Sequence, residues 1–335
     1  MVARTDVRCQ TPAWKRELAA AFRRPMELLD HLGLDHDALL DARAASADFR
    51  MLVPRAYAAL MEPANPDDPL LRQVLPAADE LTSQIGFSHD PVGDRAARRA
   101  PGLLQKYRGR ALLVVTGACA VHCRYCFRRH FPYDSETIAA DRGWAAAALI
   151  RKDPEIAEII LSGGDPLMLD DAPLAALVAR LADIPHIKRL RIHTRMPIVL
   201  PCRITAELCR LLTATRPKVV VVVHANHPRE LGQGARGALA RIGASGITLL
   251  NQSVLLKGVN DQASVLADLS EALFAHGVLP YYLHLLDKVF GAAHFDVSSD
   301  RAAELVRDLR KRLPGYLVPQ LVREKSGIAY KSPIC

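Results

Sequence analysis

Six short apolar runs in the last two thirds of this 335-residue chain constrain its fold more than any other feature. They begin near residues 111, 158, 189, 219, 248 and 278 and read Ala111-Leu-Leu-Val-Val, Glu158-Ile-Ile-Leu, Arg189-Leu-Arg-Ile-His, Val219-Val-Val-Val-Val, Thr248-Leu-Leu-Asn-Gln-Ser-Val and Val278-Leu-Pro-Tyr-Tyr-Leu. Runs that are apolar throughout predict parallel strands covered on both faces. Ala/Leu-rich segments at 172–183, 204–214, 235–243 and 262–276 predict the covering helices. The later spacing of about 30 residues is that of one βα unit. Six units predict an α/β fold, a partial (β/α)6 barrel and not the complete eightfold one. In such sheets ligands gather beyond the C-terminal ends of the strands. Half the residues are hydrophobic, ample for a sizeable core, and only 5% are aromatic, so Leu, Val, Ile and Ala must fill it.

Before the barrel, residues 1–76 read as a helical extension. Thr11 with Pro12 predicts an N-cap and a first helical position. Trp14, Leu18, Ala21 and Phe22 then recur at helical spacing. Pro25 interrupts, and the stretch from Met26 closes at Gly33. Residues 35–45 form a further helical candidate. No chemistry is visible here, and the expected role is support. Residues 77–106 read as an irregular connection, with turn signals at Gly86–Pro91 and Pro101-Gly102; His89 reads as a surface or capping histidine. Residues 107–290 form the barrel, and 291–335 a C-terminal helix and tail.

Just past the first strand lies Cys119-Ala-Val-His-Cys123-Arg-Tyr-Cys126, with Gly117 breaking the run. A loop can wrap three sulfurs around one inorganic centre; a regular helix or strand cannot. Cys9, Cys202, Cys209 and Cys335 are too scattered to supply a local fourth. A structural zinc site wants four ligands, and a [4Fe–4S] cluster takes four thiolates when closed. Three local thiols therefore point to a cluster with one iron open. A zinc knuckle completed by His122 or His130 is the plainer alternative.

Composition narrows the classes further. The formal net charge of +8 raises nucleic-acid binding, but the basic residues are dispersed and lack interleaved aromatics. Seven cysteines, an odd number, do not make a disulfide framework, so a reducing, cytoplasmic location is expected. Met1-Val-Ala-Arg-Thr-Asp lacks an apolar secretion segment, and no run of 18 apolar residues predicts a membrane span.

Polar motifs close the later strands. Ser162-Gly-Gly-Asp165 follows the second; its glycines permit close backbone approach to a ligand, and Asp165 can accept from an ammonium group. His193-Thr-Arg195 ends the third strand and His224-Ala-Asn-His227 the fourth. Asn251-Gln-Ser253 lies in the fifth. Each places polar groups at a barrel mouth.

The cysteine spacing, with Tyr125 before the third thiol, resembles the cluster loop of the radical S-adenosylmethionine superfamily. Cys126-Phe-Arg-Arg-His-Phe131, Leu161-Ser-Gly-Gly-Asp-Pro166, Asn251-Gln-Ser-Val-Leu-Leu256 and Pro280-Tyr-Tyr-Leu-His284 resemble the lysine 2,3-aminomutase family within it. The details are similar to the bacterial branch that supplies β-lysine for modifying elongation factor P. Similar segments run from about Pro69 to Pro333.

The resemblance implies a [4Fe–4S] cluster on Cys119, Cys123 and Cys126, with S-adenosylmethionine held by Gly163, Gly164, Asp165, His224 and Gln252. It implies pyridoxal 5′-phosphate joined to Lys331, with Lys106, Tyr107 and Arg110 beside it. Arg128 would meet the carboxylate of L-lysine, and Asp287 and Glu324 its ε-ammonium. Four positions depart from the family pattern. Lys331 is followed by Ser-Pro where relatives have Thr-Pro, and of the glycines near it only Gly327 remains. Lys106 replaces an arginine, Glu324 stands where some relatives have Asp, and His284 replaces a tyrosine. Beside Arg323 and Lys325, Glu324 reads as the wetter acid of the pair.

The implied reaction cleaves S-adenosylmethionine to a 5′-deoxyadenosyl radical and moves nitrogen from C2 to C3 of lysine. It needs a reducing partner such as flavodoxin or ferredoxin. Catabolic relatives carry a further C-terminal cysteine cluster at a subunit contact, so a homo-oligomer here is expected to differ. A catabolic lysine 2,3-aminomutase, a radical enzyme for another amino acid, and a zinc- and nucleic-acid-binding protein are the alternatives.

Overall fold

All six expected strands form, and all are parallel. The computed structural model describes residues 11–36 and 43–334. One sheet of ten strands runs in chain order: β1 (Arg98–Ala100), β2 (Leu103–Leu104), β3 (Arg110–Thr116), β4 (Glu158–Gly163), β5 (Arg189–Thr194), β6 (Lys218–Val223), β7 (Thr248–Val254), β8 (Val278–His284), β9 (Gln320–Arg323) and β10 (Ser332–Pro333). Strands β3 to β9 pair in parallel, with β2 antiparallel on one flank and β10 on the other. β1 and β10 are not paired to each other, so the sheet curls as an open, partial barrel. A seventh parallel strand, β9, joins the expected six. Its Gln-Leu-Val-Arg carries only two buried residues, too short an apolar run to announce itself. The connection at 77–106 is also less irregular than its turn signals imply, because β1 and β2 extend the sheet there.

Helices precede and separate the strands: α1 (Ala13–Ala19), α2 (Pro25–Leu32), α3 (Arg43–Asp48), α4 (Arg55–Ala58), α5 (Pro69–Arg72), α6 (Trp144–Arg151), α7 (Asp171–Ala182), α8 (Met196–Val199), α9 (Ala206–Thr213), α10 (Gln233–Ala244), α11 (Ala263–Phe274) and α12 (Ser299–Arg312). Gly33 ends α2 in the left-handed conformation at φ 67°, as its position suggests. The start of α1 differs from expectation. Pro12 is itself the N-cap and Ala13 the first helical residue, and no Thr11 side chain caps the end. α1 stops at Ala19, and Phe22 leaves helical spacing to exchange two backbone hydrogen bonds with Val53, both at 2.9 Å. Of the helical candidate at 35–45, residues 37–42 lie outside the described residues, as do Cys9 and Cys335. No helix among the described residues is long and apolar enough to cross a membrane.

The two faces of each strand do different work. Leu161, Leu190, Ile192, Val221 and Val223 are buried in one apolar cluster with Leu174, Leu177 and Leu181 of α7, Leu208 of α9 and Ile242 of α10. Each such side chain contributes about 1.5–3 kcal/mol by leaving water. The alternate positions Leu112, Ile160, Arg191, His193, Gln252, Tyr282 and His284 line a cavity inside the sheet. Helix packing therefore accounts for the apolar runs, and the polar interruptions point inward.

Candidate functional site

The cavity, about 530 Å³, lies against the C-terminal ends of the strands, where the topology places ligands. All fifteen residues singled out from the sequence line it: the three thiols, Gly163, Gly164, Asp165, His224, Gln252, Lys106, Tyr107, Arg110, Arg128, Asp287, Glu324 and Lys331.

At one end sits the cysteine loop. β3 stops at Thr116, and a Cβ on Gly117 would fall 2.6 Å from the Tyr133 side chain, so the chain turns there only as glycine. The turn after β4 is stitched to the loop's root: Gly164 N donates to Thr116 O at 2.6 Å and Asp165 N to Ala118 O at 2.8 Å. A Cβ on Gly164 would lie 2.3 Å from Ala118 O, and Gly163 has φ 123°. The close backbone approach expected of these glycines is thus first an approach to the cysteine loop. Asp165 also differs from the free ammonium acceptor expected of it. Its carboxylate already accepts from Thr194 Oγ1 at 2.8 and 2.9 Å, Arg195 N at 2.8 Å and Leu167 N at 3.0 Å. Burial pushes this carboxyl up to about 6 although these donors oppose it. Asp165 ties the end of β4 to the end of β5.

The loop is clamped from outside. Arg124, fully buried, donates to Glu80 Oε1 at 2.8 Å and to the carbonyls of Phe49 and Ala45 at 2.6 and 3.2 Å. Arg129 pairs with Glu80 Oε2 at 2.9 Å. His122 is engaged with Arg50 O at 2.9 Å and stacks on Phe49, while His130 stacks on His89 at 4.3 Å. His130 Nε2 likewise lies 3.2 Å from Phe290 O, so one ring nitrogen of each imidazole is engaged by a backbone carbonyl. No three His, Cys, Asp or Glu side chains among the described residues converge as one metal ion requires. Three thiols on one loop and no fourth donor suit a [4Fe–4S] cluster with an open iron.

At the other end, opposite charges alternate through five side chains. Arg128 Nε donates to Asp94 Oδ2 at 2.8 Å; Asp94 Oδ1 lies 2.7 Å from Lys106 Nζ; Lys106 reaches Glu324 Oε1 at 2.7 Å; and Glu324 Oε2 meets Lys331 Nζ at 2.8 Å. Glu324 is therefore not the solvated charge its neighbours Arg323 and Lys325 suggest. Its side chain is 14% exposed, and although burial pushes its carboxyl up, Lys331 and Lys106 hold it down to about 2. Asp287 behaves oppositely. Burial and then the Glu324 carboxylate push it up to about 7, against the pull of Lys331 and Lys106. Lys106 meets two carboxylates here, whereas the sequence suggests a phosphate contact. Arg110 is better placed for an anion: its guanidinium stands 5.0 Å over the Tyr107 ring and has no carboxylate partner among the described residues. Burial, then Glu324, raises Tyr107 well above the usual phenol range.

Neutral imidazoles line the wall between the two ends. Gln252 Nε2 and His224 Nε2 are 2.9 Å apart, and burial, then Arg195 and Lys331, pushes His224 down to about 3. His193 and His284 are likewise lowered, mainly by burial, and each keeps a buried Nε2 without a partner among the described residues. Two unpaired polar atoms in a cavity wall mark a place that a ligand completes. Asp94, Tyr57, Gln73 and Glu230 carry no motif. They are found only because folding brings them against Arg128 and Arg195.

A family model described as the radical SAM superfamily matches residues 113–267. The chain is 50% identical over 323 residues to a protein named L-lysine 2,3-aminomutase from Escherichia coli, covering 96% of this chain and 94% of that one. It is 48% identical to a protein of the same name from Haemophilus influenzae, covering 94% and 93%. A third bearing that name, from Clostridium subterminale, is 34% identical over 96% of this chain and 77% of its own length.

Proposed function

The chain belongs to the lysine 2,3-aminomutase family of radical S-adenosylmethionine enzymes, and from that premise we propose that it is an isomerase converting L-lysine to β-lysine. One observation carries the choice of substrate: a single cavity offers Arg128 to a carboxylate and the acids Asp287 and Glu324 to an ammonium group. Lysine carries those charges at its two ends, with a second ammonium group at the carbon to be changed. An acidic pair disfavours glutamate, since two buried like charges would face each other.

In this reading Cys119, Cys123 and Cys126 hold a [4Fe–4S] cluster. The cluster and S-adenosylmethionine together supply a radical able to remove hydrogen from an unactivated carbon. The backbone at Gly163 and Gly164, with the neutral His224–Gln252 pair, holds S-adenosylmethionine, and Asp165 keeps those elements in place. Lys331 anchors pyridoxal 5′-phosphate, which holds the migrating nitrogen. Arg110, Tyr107 and Lys106 surround its phosphate.

The charge chain then has a defined use. While Lys331 is cationic, Glu324 is neutralised by two lysines. Once Lys331 is committed to the cofactor its ammonium no longer claims Glu324 Oε2, and that oxygen opens to the substrate ε-ammonium while Oε1 stays with Lys106. Asp287, easily protonated when the cavity is empty, becomes the second anion as that ammonium arrives. Arg128 has Nη2 without a protein partner among the described residues, so it can take the carboxylate without leaving Asp94.

A low-potential electron carrier such as flavodoxin or ferredoxin is the proposed reductant, and modification of elongation factor P the proposed fate of β-lysine. The test is anaerobic protein with measured iron, sulfide and pyridoxal content, given S-adenosylmethionine, dithionite and L-lysine. β-Lysine forming only when all are present is expected; fully loaded protein that leaves lysine unchanged would reject the reading.

A further inference from the structure

We propose that Arg195 is a positioning residue that sets the reduction potential of the cluster, and that the N-terminal extension is part of the cluster site because it holds Arg195 in place. The inference rests on the reading of Cys119, Cys123 and Cys126 as cluster ligands. It begins from a contact: Arg195 Nη1 lies 2.7 Å from Cys123 Sγ, the only side-chain hydrogen bond any of the three thiols receives among the described residues. Arg195 directly follows β5 and is 6% exposed.

Everything else about its side chain aims that nitrogen. Nη2 donates to Gln73 Oε1 at 2.8 Å, Glu230 Oε2 at 3.1 Å and the Tyr57 hydroxyl at 3.2 Å. The guanidinium stands 5.4 Å over the Tyr57 ring and 5.7 Å over that of Tyr125, the aromatic before the third thiol. Tyr57 belongs to α4 and Gln73 caps α5, both in the N-terminal extension. Gln73 is itself fixed, donating to Glu230 Oε1 at 2.8 Å and accepting from Asn226 Nδ2 at 3.0 Å. Asn226 in turn donates to the Tyr125 hydroxyl at 2.7 Å. The positive nitrogen faces sulfur, and the balancing carboxylate sits at the other terminal nitrogen.

That orientation has an electrostatic consequence. Reduction adds one electron, from a low-potential one-electron donor, to a cluster already negative with its thiolates. A fixed cation donating to a ligand sulfur favours the more negative, reduced state, and hydrogen bonds to sulfur and nearby charge are established determinants of such potentials. Glu230, one guanidinium further away, opposes it. Two substitutions should therefore move the potential in opposite directions, which a merely structural role would not do.

The measurement is the midpoint potential of the cluster in the full-length protein, followed by electron paramagnetic resonance during anaerobic dithionite titration. Iron and sulfide are measured on the same samples. Arg195→Gln is expected to lower the reduced-to-oxidised ratio at the wild-type midpoint at least tenfold, a shift of 59 mV for a one-electron couple. Arg195→Lys should recover part of it, and Glu230→Gln should raise the midpoint. If Arg195→Gln fails to retain iron, the upward shift in Glu230→Gln remains as the test. Variants holding full iron at the wild-type midpoint would overturn the proposal. Wild-type protein that assembles no cluster under reconstitution would instead overturn the cluster reading beneath it.

Discussion

The two ends of the cavity are built by opposite strategies. At the thiol end, three ligands come from eight consecutive residues, and backbone hydrogen bonds at Thr116 and Ala118 fix the loop's root. At the lysine end, Asp94, Lys106, Arg128, Glu324 and Lys331 come from separate stretches of chain and hold one another by charge, with Asp287 beside them in the cavity. Local chemistry makes the first rigid. Mutual neutralisation holds the second, and in the proposed function its pairs are traded for those of an incoming zwitterion with a cationic tail. A site that must hold an inorganic centre permanently and admit a substrate repeatedly needs both.

The comparison can be broken at either end. Cys123→Ala should abolish cluster assembly and turnover while far-ultraviolet circular dichroism stays that of the wild type, since the loop is anchored by backbone and not by its thiols. Full iron content and turnover in this variant would separate the loop from any cluster. Lys331→Ala should lose the pyridoxal fixed by borohydride yet keep its iron, because the two ends share no residue. Should the reduced cofactor stay attached, Lys106, the other lysine of the cavity, is the anchor.

The same contrast explains what the sequence discloses. Strand β6 is legible because five consecutive valines predict a strand covered on both faces. Cys119–Cys126 is legible because its ligands are neighbours. Strand β9 is not, since pairing with β8 and not its own pattern makes it a strand. Glu324 shows the limit most clearly. Its neighbours Arg323 and Lys325 suggest a solvated charge run, but the partners that decide its state are Lys106 and Lys331. Asp165 is found for the right region with an incomplete role, because Thr194 and Arg195, which occupy it, arrive from another strand.

Arg124→Ala leaves the buried Glu80 carboxylate with Arg129 as its one cationic partner among the described residues, beside the Ala77 N–H, and should cost about 3–5 kcal/mol in denaturant stability. An unchanged midpoint would show that the clamp outside the cysteine loop is not structural. Asp287 supplies a pH dependence. Its carboxyl is raised to about 7 and must be anionic to meet an ammonium. Lysine affinity should therefore level off above that pH and fall about tenfold per unit below it, and Asp287→Asn should remove the dependence. A profile flat through pH 6–8 in the wild type would contradict the assignment.

In the proposed function one cavity joins both cofactors to lysine through its charge pattern, and Asp287→Asn removes one charge from that pattern. Anaerobic conversion of L-lysine to β-lysine should be measured above pH 8, with iron and pyridoxal content determined on the same samples. Because the substitution keeps size and removes charge, turnover at subsaturating lysine should fall by two orders of magnitude or more, on the order of 3–5 kcal/mol for a buried ammonium left unpaired, with both cofactors fully bound. Wild-type turnover in a fully loaded Asp287→Asn enzyme would contradict the claim.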